Sequence, residues 1–288
     1  MYSIENDFLK ASFMKKGAEL TGLYHKQLKL EYMWHGNPLF WSKQSPVLFP
    51  VVGGLKDNTY FYNNKPYQLP RHGFAREKDF SVVEQSAAGI TFSLRYDEET
   101  LLVYPFQFEL NIFYSLNKNT LTVGYEVKNL GNDEMYMSIG GHPAFKIPLL
   151  DDKYEDYFLE FNARETGNRW PVSSEGLIEK TPDPFFTNDS IIALTKELFL
   201  KDALVFKDLL SDTVSLKSAN HEHGLDFHFA GFPFMGIWAA ENADFVCIEP
   251  WCGIADSVAT DQQLKNKEGI NRVMTGEPFN KKWEVTVY

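Results

Sequence analysis

Along much of the chain, apolar residues recur at every second position. Ile90, Phe92, Leu94 and Tyr96 alternate with Thr91, Ser93 and Arg95. Phe106, Phe108, Leu110, Ile112 and Tyr114 form the next stripe, and Leu121, Val123, Tyr125 and Val127 alternate with Thr122, Glu126 and Lys128. Successive side chains of a strand point to opposite faces. A period of two therefore predicts antiparallel strands with one face in a core and one toward water.

The rest of the pattern is shorter and more broken. Tyr2 to Lys29, punctuated by Gly17 and Gly22, reads as a few short strands, and residues 31–46 read as an irregular connection lined by Trp34 and Trp41. Thr59–Tyr62 and Lys65–Leu69 flank Asn63-Asn64, a pair that tolerates positive φ, so a hairpin is expected there. Between Leu149 and Ser190 only Tyr157, Leu159 and Phe161 alternate. Ile191 to Leu200 has the best helical spacing in the chain. Ser215–Ser218, Leu225–Phe229, Phe234–Ala239 and Val246–Glu249 read as strands, and Trp283–Tyr288 alternates to the last residue. Pro250 has no N–H to give a ladder, so the last strand before it is expected to stop there. The sum is roughly fifteen or more short strands, little helix, no fixed repeat and no linker. That predicts an all-β fold, a large antiparallel sandwich, with residues 1–288 forming a single domain.

Composition narrows the function classes. Aromatics make up 15% of residues, with 24 Phe and 14 Tyr, which suits pleated faces and also suits the apolar C–H faces of sugar rings. The net charge of −11 argues against nucleic acid, which needs a basic patch. The start, Met1 to Asp7, has no basic and apolar leader, and no apolar run approaches the ~18 residues of a membrane span. A cytoplasmic location without a membrane partner is expected. The only cysteines, Cys247 and Cys252, lack a second ligand pair and read as buried thiols in a reducing compartment.

Three positions carry candidate chemistry. Glu249 lies at an expected strand end beside Trp251, and aromatic surroundings raise a carboxyl pKa toward the range useful for proton transfer. His72, between Arg71 and Gly73, and His142, between Gly141 and Pro143, lie in small-residue turns that present a side chain. Histidine holds or releases a proton near neutral pH, so a His paired with a Glu can run concerted acid and base catalysis. His221-Glu222-His223 suggests a metal site, but no ligand set can be completed around it, and it reads as a solvated turn.

Taken in order, His72-Gly73-Phe74-Ala75-Arg76, Gly140-Gly141-His142-Pro143-Ala144-Phe145 and Cys247-Ile248-Glu249-Pro250-Trp251 resemble the aldose 1-epimerase (mutarotase) family. Within it, the chain is most similar to the bacterial branch of lactose-operon-associated, galactose mutarotase-like proteins. The resemblance implies a β-supersandwich of galactose mutarotase type. It also implies a mechanism. Glu249 takes the proton of the anomeric hydroxyl, His142 protonates the ring oxygen, and His72 hydrogen-bonds near that oxygen. The ring opens, the C1–C2 bond turns, and closure gives the other anomer, without metal or organic cofactor. Asp202 matches an acidic residue that binds sugar hydroxyls, although it could equally cap the segment before it. Many relatives have an Arg where this chain has Gly54, so Lys56 or Arg71 is the expected substitute, with Trp251 as a further sugar contact. Two other readings remain open. One is a hexose-phosphate mutarotase, with Arg71, Arg76 and Lys56 meeting the phosphate. The other is a non-catalytic sugar-binding protein on the same fold.

Overall fold

The computed structural model describes every residue from Met1 to Tyr288. The alternating stripes become a nine-stranded antiparallel sheet. Edge to edge, its strands are Asp183–Ala193, Tyr157–Arg169, Thr213–Ser218, Leu225–His228, Phe279–Val287, Thr120–Asn129, Phe108–Asn117, Gly89–Arg95 and Ser81–Gln85. The register keeps apolar positions in line, with Ile112 opposite both Tyr125 and Phe92. Such cross-strand pairs are the unit of sheet stabilisation, each contributing about 0.2–1 kcal/mol.

A six-stranded sheet lies against it. Leu204–Lys207, Phe234–Trp238, Phe245–Cys252, Ile139–Gly141 and Val47–Leu48 run in that order, and Ala144–Lys146 also pairs with Phe245–Cys252. The inner faces meet through aromatic rings. Phe145 packs edge-on to Phe227 at 5.9 Å, and Phe227 stacks on Trp283 at 5.0 Å. One apolar cluster of 71 buried residues, from Ile4 to Val287, fills the space between and around the sheets. A second cluster of 8, including Leu48, Val205, Phe234 and Trp251, covers the opposite face of the smaller sheet. That outer face carries the site.

The Asn63-Asn64 hairpin forms as expected, with φ of 50° and 60° at its two turn residues. Two expectations need correction. Pro250 does not end its strand: Phe245–Cys252 runs through it, with Pro250 opposite Met235. On the other side, Ile248 donates to the carbonyl of Pro143, and the neighbouring strand is interrupted between Gly141 and Ala144. Backbone N–H groups alternate sides along a strand, so the N–H that Pro250 lacks would face this interruption. Ile191–Leu200 is not a helix. It is the end of the Asp183–Ala193 strand and a 3₁₀ turn at Lys196–Phe199, because Ile192 pairs with Leu159 and long-range burial overrides local spacing. The polar middle holds more strand than the alternation of Tyr157, Leu159 and Phe161 alone indicates. Tyr157–Arg169 and Asp183–Ala193 form the longest hairpin arm of the large sheet, with register shifts that break its alternation. The one α-helix, Glu98–Val103, is short and starts at Asp97, whose side chain accepts from the N–H of Thr100. No helix is long and apolar enough to cross a membrane.

Candidate active site

Alternation along Phe245–Cys252 sends Ile248, Pro250 and Cys252 toward the large sheet and leaves Glu249 and Trp251 on the outer face. Across from them, Gly140 and Gly141 let the chain pass between two indoles. A β-carbon on Gly140 would lie 2.6 Å from Trp251, and one on Gly141 would lie 2.9 Å from both the Trp283 Nε1 and the Tyr125 hydroxyl. His142 follows at the break in this strand and turns to the Glu249 side. The break places its Nε2 3.2 Å from a Glu249 carboxyl oxygen, Oε2.

The two side chains close one end of a cavity of about 260 Å³. His72, Arg71, Asp202 and Trp251 also line it, together with Arg76, Trp41 and Trp238. The His72 and His142 rings stand edge-on at 5.7 Å. Trp41 stacks on His142 at 4.9 Å and 27°, and Trp238 meets it edge-on at 5.7 Å. The imidazole is therefore held on three sides by aromatic rings. At the more exposed side, an Arg71 nitrogen lies 3.7 Å from an Asp202 carboxyl oxygen.

Burial governs the protons here. Glu249 is 2% exposed, and burial holds its carboxyl well above the ordinary carboxylate range. Arg71 opposes this shift, Asp202 adds to it, and the Trp251 indole opposes it weakly without forming a well-shaped hydrogen bond. Burial pushes His142 down to about 3, against the pull of its own backbone carbonyl, which makes no well-shaped hydrogen bond to the ring, and with help from Arg76 and Arg71. Both charged forms are thus disfavoured. Together the two shifts favour a neutral pair with one proton, a carboxylic acid facing a neutral imidazole. Moving that proton across the 3.2 Å gap gives carboxylate and imidazolium with the same net charge.

His72 has a defined tautomer. The N–H of Gly53 donates to its Nδ1 at 3.1 Å, so the ring proton sits on Nε2. Its own N–H donates back to the Gly53 carbonyl at 2.9 Å. Burial first, then His142, Arg71 and Arg76, keep this ring neutral by pushing its pKa well down. Three further polar atoms in the lining residues, His142 Nδ1, Arg76 Nε and Trp251 Nε1, are buried without a protein partner. Buried polar atoms are normally paired, so three unpaired ones in the residues of one cavity wall set it apart from the rest of the interior.

Not every expected residue arrives. Lys56 does not line the cavity. Its N–H donates to Asp256 Oδ2 at 3.0 Å, and Asp57 and Asn58, both at positive φ, turn the segment away. A side chain at position 54 would meet the carbonyl oxygen of Gly176 at 3.0 Å, while the Arg71 guanidinium lies over Gly176 from the cavity side. Asp202 closes the 3₁₀ turn Lys196–Phe199 with its backbone, its N–H donating to the Phe199 carbonyl at 3.1 Å, while its side chain does something else. Its φ is 73°, its Oδ1 accepts from the N–H of Ala203, and it faces Arg71. His221 is in a turn, but it is not solvated. Its Nε2 lies 2.7 Å from Asp152 and 2.9 Å from the Tyr157 hydroxyl. Donor atoms of His142, Cys247 and Glu249 lie within 4.8 Å of one another. The thiol is held well up by burial and by Glu249, so an ion there would have to displace protons from both thiol and carboxyl. From sequence Arg76 is expected only as a phosphate contact, and nothing there marks Trp41 or Trp238 as site residues. Their signal was the aromatic excess itself, which does not say which rings reach a site.

A family model described as aldose 1-epimerase matches residues 1–269. The chain is 33% identical over 294 residues to "Protein LacX, chromosomal" of Lactococcus lactis subsp. lactis, covering 99% of this chain and 98% of that protein. Among solved structures, a galactose mutarotase related enzyme from Lactobacillus acidophilus superposes with a TM-score of 0.93 at 35% identity, covering 100% of this chain and 97% of that one. A galactose mutarotase-like protein from Lactobacillus casei ATCC 334 superposes with a TM-score of 0.91 at 29% identity, covering both chains fully.

Proposed function

The chain belongs to the aldose 1-epimerase family, and from that premise we propose that it interconverts the α and β anomers of an aldohexose by acid/base opening and closure of the pyranose ring. The observation that carries this reading is the His142 Nε2 to Glu249 Oε2 distance of 3.2 Å at the closed end of an aromatic-walled cavity.

The proton count fits the reaction. With the closed sugar bound, the pair works as Glu249 carboxylate and His142 imidazolium. The carboxylate accepts the proton of O1 while the imidazolium gives its own to the ring oxygen. The open aldehyde then faces a carboxylic acid and a neutral imidazole, the state that burial favours. After rotation about C1–C2, the same two transfers run backward and close the other anomer. No proton has to come from or go to solvent within a turnover. His72, with its proton on Nε2, donates a hydrogen bond toward the ring oxygen or a neighbouring hydroxyl, while Trp251, Trp238 and Trp41 offer apolar faces to the sugar. Asp202 and Arg71 provide an acceptor and a donor for hydroxyls at the open side. In this reading residues 1–288 act as a single unit, since the main core draws on residues from Ile4 to Val287.

A phosphorylated hexose is the second reading. It is favoured by Arg71 and Arg76 lining one cavity, with the Arg76 Nε buried and unpartnered. NMR exchange at the anomeric proton, run on galactose, glucose and glucose 6-phosphate, separates the two. A Glu249→Gln variant is expected to lose about 10²–10⁴ in exchange rate on whichever sugar is the substrate. Tight sugar binding with no gain in exchange over buffer would make the protein a sugar binder instead.

A further inference from the structure

Behind the cavity wall lies an ion pair that the acid/base reading does not use. Lys267 Nζ sits 2.7 Å from Asp256 Oδ1, and each side chain is only 3% exposed. Asp256 is also a junction. Its Oδ2 accepts from the N–H of Lys56 at 3.0 Å, its N–H donates to the carbonyl of Gly54 at 2.9 Å, and its carbonyl accepts from the N–H of Ile178 at 2.8 Å. One residue therefore joins three stretches of chain. Gly53, Gly176 with Ile178, and Ala255, all in or beside these stretches, line the cavity.

The contact between these stretches is tight. A β-carbon on Gly53 would lie 2.4 Å from that of Ala255. Gly53 is also the residue whose N–H and carbonyl pair with His72 Nδ1 and N–H. The 53–54 backbone is thus held between the Asp256 junction on one side and the His72 ring on the other. A shift of that backbone changes the geometry of the hydrogen bond that keeps the His72 proton on Nε2.

Stability alone is a poor reason for the pair. Replacing a buried ion pair by neutral side chains of similar volume is often neutral or stabilising, while removing one partner strands a charge. The pair does, however, engage only one oxygen of Asp256, and the second accepts from the Lys56 N–H.

We propose that Asp256 and Lys267 are positioning residues that act through Gly53 to fix the tautomer and placement of His72. The kinetic part of this proposal rests on the epimerase reading; the tautomer part does not. The test uses the full-length protein with ¹⁵N-labelled histidine. The two ring nitrogens of His72, assigned by comparison with His72→Gln, report which one carries the proton. In the wild type Nε2 is expected to be protonated. In Lys267→Met, and in the Asp256→Asn/Lys267→Met double variant that leaves no unpaired charge, a mixture of tautomers is expected. If the epimerase reading holds, the double variant also loses about 10²-fold in kcat, the size of effect that a misplacement of ~1 Å produces, with KM changed little. Lys267→Arg, which keeps the charge, is expected to recover part of the wild-type signal. Should Lys267→Met fail to fold, the double variant carries the test by itself. A folded double variant with wild-type His72 signals overturns the proposal. Absence of anomer exchange in the wild type would count against the epimerase reading and leave the tautomer result standing.

Discussion

Glu249→Gln should make the protein inactive and, above mildly acidic pH, more stable than the parent. The reasoning is proton linkage. In the unfolded chain Glu249 titrates near the ordinary carboxyl value of 4.5 and His142 near the ordinary imidazole value of 6.5. Between those values the unfolded pair carries one proton, on the histidine. The folded pair also carries one, on the carboxyl, so its contribution to stability is flat there. Above 6.5 the unfolded pair carries none while the folded pair still carries one, so stability falls as pH rises. Below 4.5 the unfolded pair carries two, so stability falls as pH drops.

The variant isolates the carboxyl. A carboxyl whose folded pKa lies above its unfolded value contributes stability at low pH. That stability is lost as pH rises from 4.5 toward the folded value. Glutamine has no such cost. One proton is about 1.4 kcal/mol per pH unit, so Glu249→Gln should gain steadily on the wild type as pH rises above 4.5, by up to that slope for as long as the folded carboxyl keeps its proton. Urea unfolding of both proteins across this pH range measures the change directly, and titrating groups away from the Glu249–His142 pair cancel in the difference. A difference that does not change with pH would mean that Glu249 is ionised in the folded protein. The single-proton account of the pair would then be wrong.

Two further outcomes follow from the packing. Gly141→Ala places a methyl 2.9 Å from the Trp283 Nε1 and the Tyr125 hydroxyl, which hydrogen-bond to each other across the core. Overpacking of this kind costs about 1–3 kcal/mol, read as a lower melting temperature, and should displace His142 enough to lower the exchange rate as well. The thiols of Cys247 and Cys252 are both buried, with Cys252 pushed up to about 12 and Cys247 also well up, so neither should react with a thiol reagent in the folded protein. Both should react in urea, and a titratable thiol in the native state would contradict their placement.

What could be read from the sequence was whatever depends on neighbours along the chain. The period of two at Ile90–Tyr96 and Leu121–Val127 specified strands and their buried faces, because side-chain alternation is a local property. The Asn63-Asn64 turn was legible because positive φ is a property of the residue itself. The motif residues His72, His142 and Glu249 stood out for the same reason, since each lies in a short distinctive segment. What depended on distant partners was not legible. Ile191–Leu200 has helical spacing, but pairing of Ile192 with Leu159 decided its conformation. Pro250 is a strand breaker by itself and was accommodated because the adjoining strand breaks beside it. Lys56 is near the site in sequence and turns away in space, while Trp41 and Trp238, far from every motif, clamp the His142 ring. The same limit applies to protons. Residue type supplies a carboxyl and an imidazole, but the 3.2 Å between them and the loss of water around both come only from the folded arrangement. Solvation and distance set a buried pair's charge, and neither is a property of the chain until it has folded.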